Sequence, residues 1–165
     1  MKRNRALAPL SREHNTALVL ANRIVREAPS ADENGVLAFY NTLVSFWARG
    51  LLPHFRAENE CLLARLVRHV ARDDELVRRT QSDHLGIEAL VADMRDNPDV
   101  ESRRRLLLEF AERIRTHVRW EEETLFEATQ QKLTDDEMSA LGDEISERVG
   151  EGLTRIDPPN PSAIR

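Results

Sequence analysis

Apolar side chains recur every three to four residues along most of this chain, which is the spacing of helices that bury one face. Turn-forming residues interrupt the pattern at 28–35 and again at 97–99. Short connections between long amphipathic helices favour antiparallel neighbours, so we predict an all-α protein, an up-down-up-down four-helix bundle with a short fifth C-terminal helix. The predicted long helices cover residues 11–27, 36–71, 73–96 and 100–132, and the fifth helix follows Thr134.

Three sequence features predict where these helices begin or bend. Ser11 is expected to cap the first helix, and Thr134 with Glu137 has the spacing of a capping box at the start of the fifth. Pro53 lies inside the second helix and removes a backbone donor, which predicts a kink there. We expect residues 1–150 to form one domain and the proline-containing residues 151–165 to form an irregular tail.

Composition narrows the class of protein. The net charge of −5 gives no general attraction to nucleic acid or to an anionic membrane. Cys61 is the single cysteine, so no internal disulfide can form, and a reducing compartment is permitted. No uncharged apolar run approaches the roughly 20 residues of a membrane span, and the first ten residues lack the apolar part of a secretory signal. We expect a cytoplasmic protein with no nucleic-acid or membrane partner.

Polar residues interrupt the apolar stripes of all four long helices. Each stripe carries one histidine, and Glu58 and Glu121 also fall on stripes. Burying a lone carboxylate costs several kcal/mol, so two of them in one bundle need compensating charge. A dinuclear metal site with bridging carboxylates and terminal imidazoles would supply it, and an internal His–Glu hydrogen-bond network is the alternative. We favour the metal because all four helices contribute; the histidines are His14, His54, His84 and His117.

Spacing alone does not identify this site. His54/Glu58 and His117/Glu121 are each four residues apart, but so are His69 and Asp73, which are expected to form an ordinary surface contact near a helix end. Mixed nitrogen and oxygen ligands without a thiolate suit non-haem iron first, and manganese or zinc after it. Cys61 is expected to be a small core residue, although it could line the site.

The same residues resemble the hemerythrin-like, or HHE cation-binding, domain family. The resemblance is carried by residues 10–14, 54–63, 83–85 and 117–126, in this order. It implies a four-helix bundle that holds two iron ions with an oxo or hydroxo bridge. Glu58 and Glu121 would bridge the ions, and the four stripe histidines would be terminal ligands.

Two positions depart from the oxygen carriers of that family. Those proteins place a second histidine four residues after the first on the third helix, where this chain has Glu88. They also use an aspartate five residues after the fourth-helix histidine, where this chain has Glu122, and Glu121 fits the HHE variant better. Glu88 and Glu122 are therefore additional candidate ligands, and the differences count against an oxygen carrier more than against dinuclear metal binding.

Three functions follow from this picture. The first is a di-iron protein that binds dioxygen or a related small ligand, or senses oxygen, iron or redox state. Phe55, Trp47 and Trp120 are candidates for a shielding apolar shell, with ordinary core packing as the alternative, which is favoured for Trp47. The second is a di-iron oxidase or peroxidase, which would need open coordination positions and a substrate pocket. The third is a regulatory interaction module controlled by metal occupancy. A non-catalytic role is favoured, and a homodimer is left open.

Overall fold

The computed structural model describes residues 4–148, and this part of the chain is helical with no β-strand. The prediction of an all-α protein is confirmed. The predicted tail, residues 151–165, lies outside the described residues. The helices are α1 (Ala8–Glu27), α2 (Glu33–Phe46), α3 (Leu52–Ala57), α4 (Ala64–Leu66), α5 (Glu75–Asp96), α6 (Val100–Trp120), α7 (Phe126–Lys132) and α8 (Asp135–Arg148).

The second long helix runs without a break from residue 33 to residue 66 and contains two π-helical segments. Trp47–Leu51 joins α2 to α3, and Glu58–Leu63 joins α3 to α4. Pro53 is the second residue of α3, just after the first π segment, so its missing N–H falls at a point where the regular hydrogen-bond pattern already changes. The predicted end at residue 71 was too late, because the turns at 67–73 are needed to reverse the chain before Asp74 caps α5.

Aspartate side chains cap the starts of α5 and α6, whereas the serine cap predicted for α1 is not found. Asp74 and Asp99 cap α5 and α6 by accepting from the backbone N–H groups of Leu76 and Ser102. The predicted cap at Ser11 is wrong. α1 begins earlier, at Ala8, with Pro9 in its first turn, where the missing proline N–H costs nothing.

The capping box at the start of α8 is confirmed in both directions. The backbone N–H of Thr134 donates to Glu137 Oε2 at 3.0 Å, and the backbone N–H of Glu137 donates to Thr134 Oγ1 at 3.3 Å. α8 then approaches the first residues of the described chain closely. A Cβ atom at Gly142 would lie 3.0 Å from Ala6 Cα, so this contact depends on glycine.

Two apolar clusters form the core. The large cluster comprises the buried apolar side chains within residues 17–55 and 87–118. The small cluster comprises those within residues 6–10, 57–66 and 125–145, and it includes the buried face of α8. No helix in the described part of the chain is both long enough and apolar enough to span a membrane. Along α1, His14 falls between Leu10 of the small cluster and Ala17 of the large one, so a polar layer separates the clusters.

Candidate metal centre

The six predicted side chains meet in this polar layer. Glu58 and Glu121 are fully buried, and none of the four histidines is more than 5% exposed. α1, α3, α5 and α6 each supply one histidine, and Glu58 and Glu121 lie at the first residues of the π segments that follow α3 and α6. Convergence of the four stripes is therefore observed, while the role of each side chain as a ligand stays a prediction.

The six side chains form two groups that share both carboxylates. We call His14 and His54 the first half-site and His84 and His117 the second half-site. Each half-site, taken with Glu58 and Glu121, offers four ligand atoms that lie within 4.8 Å of one another, so each can hold a metal ion. Because the two groups share both carboxylates, they could hold two cations side by side.

Glu58 extends between the two half-sites. Its Oε1 lies 3.3 Å from His54 Nε2, and its Oε2 lies 3.2 Å from His84 Nε2. Glu121 also reaches both half-sites, since its Oε2 lies 3.1 Å from His14 Nε2 and 3.3 Å from His117 Nε2. Both carboxylates are thus placed where they can bridge.

The backbone changes from α-helix to π-helix at both of these glutamates. Each His–x–x–x–Glu pair spans one helical turn, so imidazole and carboxylate point the same way. In both pairs the glutamate is the first residue of a π-helical segment, Glu58–Leu63 and Glu121–Leu125. Single π turns are frequent at functional sites, because the extra residue alters the direction of the side chains that follow. The two candidate carboxylate ligands therefore lie in the same local backbone structure.

Hydrogen bonds place a proton on Nδ1 of both rings in the first half-site. His14 Nδ1 lies 2.7 Å from Glu122 Oε1, and His54 Nδ1 lies 2.7 Å from Glu13 Oε2. A carboxylate accepts, so each Nδ1 carries a proton, and each ring presents an Nε2 lone pair when it is neutral. The two Nε2 atoms lie only 3.0 Å apart. Two lone pairs at that distance repel unless a cation or an additional proton lies between them.

The remaining candidate ligand atoms are buried polar atoms. The four side-chain oxygens of Glu58 and Glu121 and both ring nitrogens of His84 and His117 have no hydrogen-bond partner within the described residues. Ring nitrogens and oxygens lie 3.2–3.3 Å apart without the angles of a hydrogen bond. Buried polar groups left without partners are costly. Their chemistry and convergence fit a cation better than a hydrogen-bond network.

Without a bound cation, protons would have to compensate the carboxylates. Burial alone would lower the pKa of His54, but Glu58 and Glu13 outweigh it and raise this pKa to about 10. Burial likewise opposes a raised pKa at His84, which Glu121 and Glu58 bring to about 9. Burial would raise the pKa of Glu58, yet His54 and His84 hold it well below the usual range. The polar layer thus attracts positive charge strongly.

The two less certain candidate ligands, Glu88 and Glu122, lie in different positions relative to the centre. Glu88 is exposed on α5 and belongs to neither group. Glu122 is also outside both groups, because it contacts the outer nitrogen of His14. Asp83 lies behind His117 in a similar position, with Oδ2 3.6 Å from Nδ1.

Glu13 was missed by sequence reasoning. A signal was available, because an acid directly precedes the stripe histidine on two helices, as Glu13–His14 and Asp83–His84. Neighbouring residues of a helix point about 100° apart, so such an acid is directed past its own histidine. In the structure each one reaches the histidine of the adjacent helix.

Aromatic rings and the cysteine complete the surroundings. Phe55 stacks on His84 with 3.9 Å between ring centroids, and Trp47 packs edge-on against Phe55 at 5.8 Å. Trp120 is only partly buried and packs against the small cluster, and the Arg79 guanidinium carbon lies 4.6 Å from the centroid of its ring. Cys61 belongs to the small cluster, and burial raises the pKa of its thiol.

Comparison with known proteins agrees with this geometry. The family model described as the hemerythrin HHE cation binding domain matches residues 5–129. The match covers most of the chain and all six converging side chains, so the chain belongs to the hemerythrin HHE cation-binding family. Searches of curated proteins and of solved structures found no match.

Proposed function

We propose that this hemerythrin-family chain holds two iron ions, one in each half-site, and binds dioxygen or a related small ligand, or senses oxygen, iron or redox state. Glu58 and Glu121 bridge the ions, and the four histidines are the terminal ligands. The proposal includes the up-down-up-down order of the four long helices within a domain of residues 1–150.

One observation carries the proposal. Both half-sites share the same two buried carboxylates, whose four oxygens, like the ring nitrogens of His84 and His117, have no hydrogen-bond partner among the described residues. A hydrogen-bond network would pair these atoms with one another, whereas a pair of cations would be held by their lone pairs. Imidazole with carboxylate, and no thiolate, favours iron, with manganese or zinc as the other candidates.

The protein contributes geometry, charge and exclusion of water to this chemistry. An iron pair supplies redox chemistry and a position for a small ligand when it is bound. Phe55 stacks on His84 and also lies edge-on to His117 at 5.6 Å, so one apolar ring contacts both histidines of the second half-site. An apolar shell of this kind controls solvent access and so affects the redox potential of a metal site.

Metal analysis of the aerobically purified protein tests the proposal. We expect two irons per chain and an absorption band typical of an oxo-bridged iron pair. Stoichiometric zinc, or protein that binds no metal when iron is supplied without oxygen, would contradict it.

A metal-dependent regulatory role is a second candidate, because α8 is connected to the π segment that starts at Glu58. Arg148 of α8 pairs with Glu60 of that segment, and Arg65 donates to Glu144 of α8 at 2.5 Å. A displacement of Glu58 on metal binding would therefore move Glu60 in the same π segment, and with it Arg148 of α8. Hydrogen exchange with and without metal tests this: amide protection in α8 that rises on metal binding supports it, and unchanged protection counts against it.

A further inference from the structure

The two half-sites are related by an internal symmetry of contacts. His14 Nε2 lies 3.1 Å from Glu121 and 3.8 Å from Glu58, and His84 Nε2 lies 3.2 Å from Glu58 and 3.7 Å from Glu121. Exchanging His14 with His84 and Glu58 with Glu121 therefore reproduces the same pattern of distances. Under the same exchange His54 corresponds to His117.

The symmetry extends to the acids behind the histidines. Glu13 lies behind His54, and its counterpart Asp83 lies behind His117. Glu122, the residue after Glu121, lies behind His14. Its counterpart is the residue after Glu58, which is Asn59 and not an acid.

The symmetry fails at two of these contacts, both in the second half-site. His54 Nδ1 lies 2.7 Å from Glu13, but His117 Nδ1 lies 3.6 Å from Asp83, beyond hydrogen-bond distance. His14 Nδ1 lies 2.7 Å from Glu122, whereas His84 Nδ1 has no hydrogen-bond partner among the described residues and Asn59 is exposed.

The surroundings of the second half-site also weaken the contact between Asp83 and His117. A cleft of about 320 Å³ between α5 and α6 reaches Asp83 and His117 from the outside. One of its walls is formed by Arg113, whose guanidinium occupies the space beside Gly86, where a Cβ would lie 2.8 Å from Nη1. Asp83 can therefore interact with water and with Arg79, 3.8 Å away, in competition with His117.

We propose that the first half-site binds its metal ion first and more tightly, and that Glu13 and Glu122 are the positioning residues responsible. An imidazole whose Nδ1–H donates to a carboxylate is held in one tautomer and orientation and is a stronger Nε2 ligand. Both ligands of the first half-site have this support, and neither ligand of the second has it at hydrogen-bond distance. The second half-site is the one loaded last and emptied first.

This inference rests on the proposed dinuclear centre, and the test keeps the two separate. Apoprotein would be given one equivalent of Co²⁺, crystallised, and its anomalous scattering mapped. Stepwise binding alone is not decisive, because the second cation is repelled by the first in any dinuclear site. We expect the first ion at His14 and His54. Equal occupancy of both half-sites, or an ion at His84 and His117, would overturn the inference and leave the dinuclear centre intact.

Variants assign the effect to the outer acids. In calorimetric titration with Co²⁺, Glu13→Gln and Glu122→Gln should each weaken the first binding step by roughly 10- to 100-fold, the usual cost of losing an outer partner of a ligand. Glu88→Gln, an exposed acid four residues from His84, is the matched control and should leave both steps unchanged. Loss of affinity in the second step alone for Glu13→Gln would contradict the assignment.

A gain-of-function variant gives the most specific test of the missing acid in the second half-site. Asn59→Glu restores the acid that the symmetry lacks, and it should strengthen the second step by several-fold to tenfold. Asn59→Gln has the same length without the charge and should not. Equal behaviour of these two variants would show that the acid at this position does not act on His84.

Discussion

The polar layer and the large apolar cluster beside it are buried to the same degree, but they are stabilised differently. Glu121 is 0% exposed and Phe110 is 1% exposed. The cluster is stabilised by removing apolar surface from water, which needs no further partner. The layer brings together carboxylates and lone pairs that are stable only with added positive charge. Burial alone therefore does not distinguish a core from a binding site, whereas unpaired acceptors do.

Removing the two proposed bridging carboxylates should have the largest effect. In Glu58→Gln/Glu121→Gln the charge that attracts two cations is gone while side-chain volume is kept. We expect metal content to fall from two ions per chain to none, measured by elemental analysis after dialysis. Glu123→Gln, an exposed neighbour of the same π segment, is the control and should keep both ions. Two ions retained by the double variant would show that these residues are not bridges.

Truncation in the large cluster should separate folding from metal binding. Phe110→Ala removes a fully buried ring, and we expect it to lower the free energy of unfolding by about 3–5 kcal/mol. Urea unfolding of the metal-loaded protein measures this loss. The folded fraction should still contain two ions per chain, and loss of metal at full helicity would mean that the two regions are not independent.

The pH dependence of stability should differ between chelator-treated and loaded protein. His54 and His84 have folded pKa values of about 10 and about 9, above the unfolded value of 6.5. A raised pKa contributes stability that is fully present below pH 6.5 and is lost as pH rises through the folded pKa. The chelator-treated protein should therefore become less stable between about pH 6.5 and 10.

The acid side of this profile has the opposite sign. The pKa values of Glu58 and Glu121 are lowered from 4.5, so their contribution is lost as the pH falls below that value. In the loaded protein, metal holds the imidazoles neutral, and the decline above pH 6.5 should be absent. Thermal melts across the range measure both profiles, and identical alkaline declines in the two preparations would contradict this account of the layer.

The smallest effect is expected at Glu88. It has the same spacing from His84 as Glu58 has from His54, but it is exposed. Glu88→Ala should leave metal content unchanged and alter stability by less than about 0.5 kcal/mol, as is usual for surface positions. Loss of one ion in this variant would place Glu88 in the second half-site.

These residues also show how far sequence reasoning reaches. The four histidines and two glutamates were identifiable because each replaces an apolar residue on a helical stripe, and the stripe fixes which side chains meet. Glu13 was not identified because it lies beside the stripe and acts on a histidine of another helix, which depends on helix packing. Glu122 was a candidate ligand because it stands where the oxygen carriers of the family have an aspartate; its actual contact with the outer nitrogen of His14 depends on the π segment at Glu121, for which we found no local sequence signal. Ser11 was taken for a cap because its chemistry suits one, but Pro9 determines where α1 begins.

We propose that two metal ions share Glu58 and Glu121, and anomalous diffraction from crystals of the fully iron-loaded protein tests this sharing. We expect two peaks per chain, one beside His14 and His54 and one beside His84 and His117, with both carboxylates contacting both ions. A single peak, or peaks at which either carboxylate contacts only one ion, would contradict it.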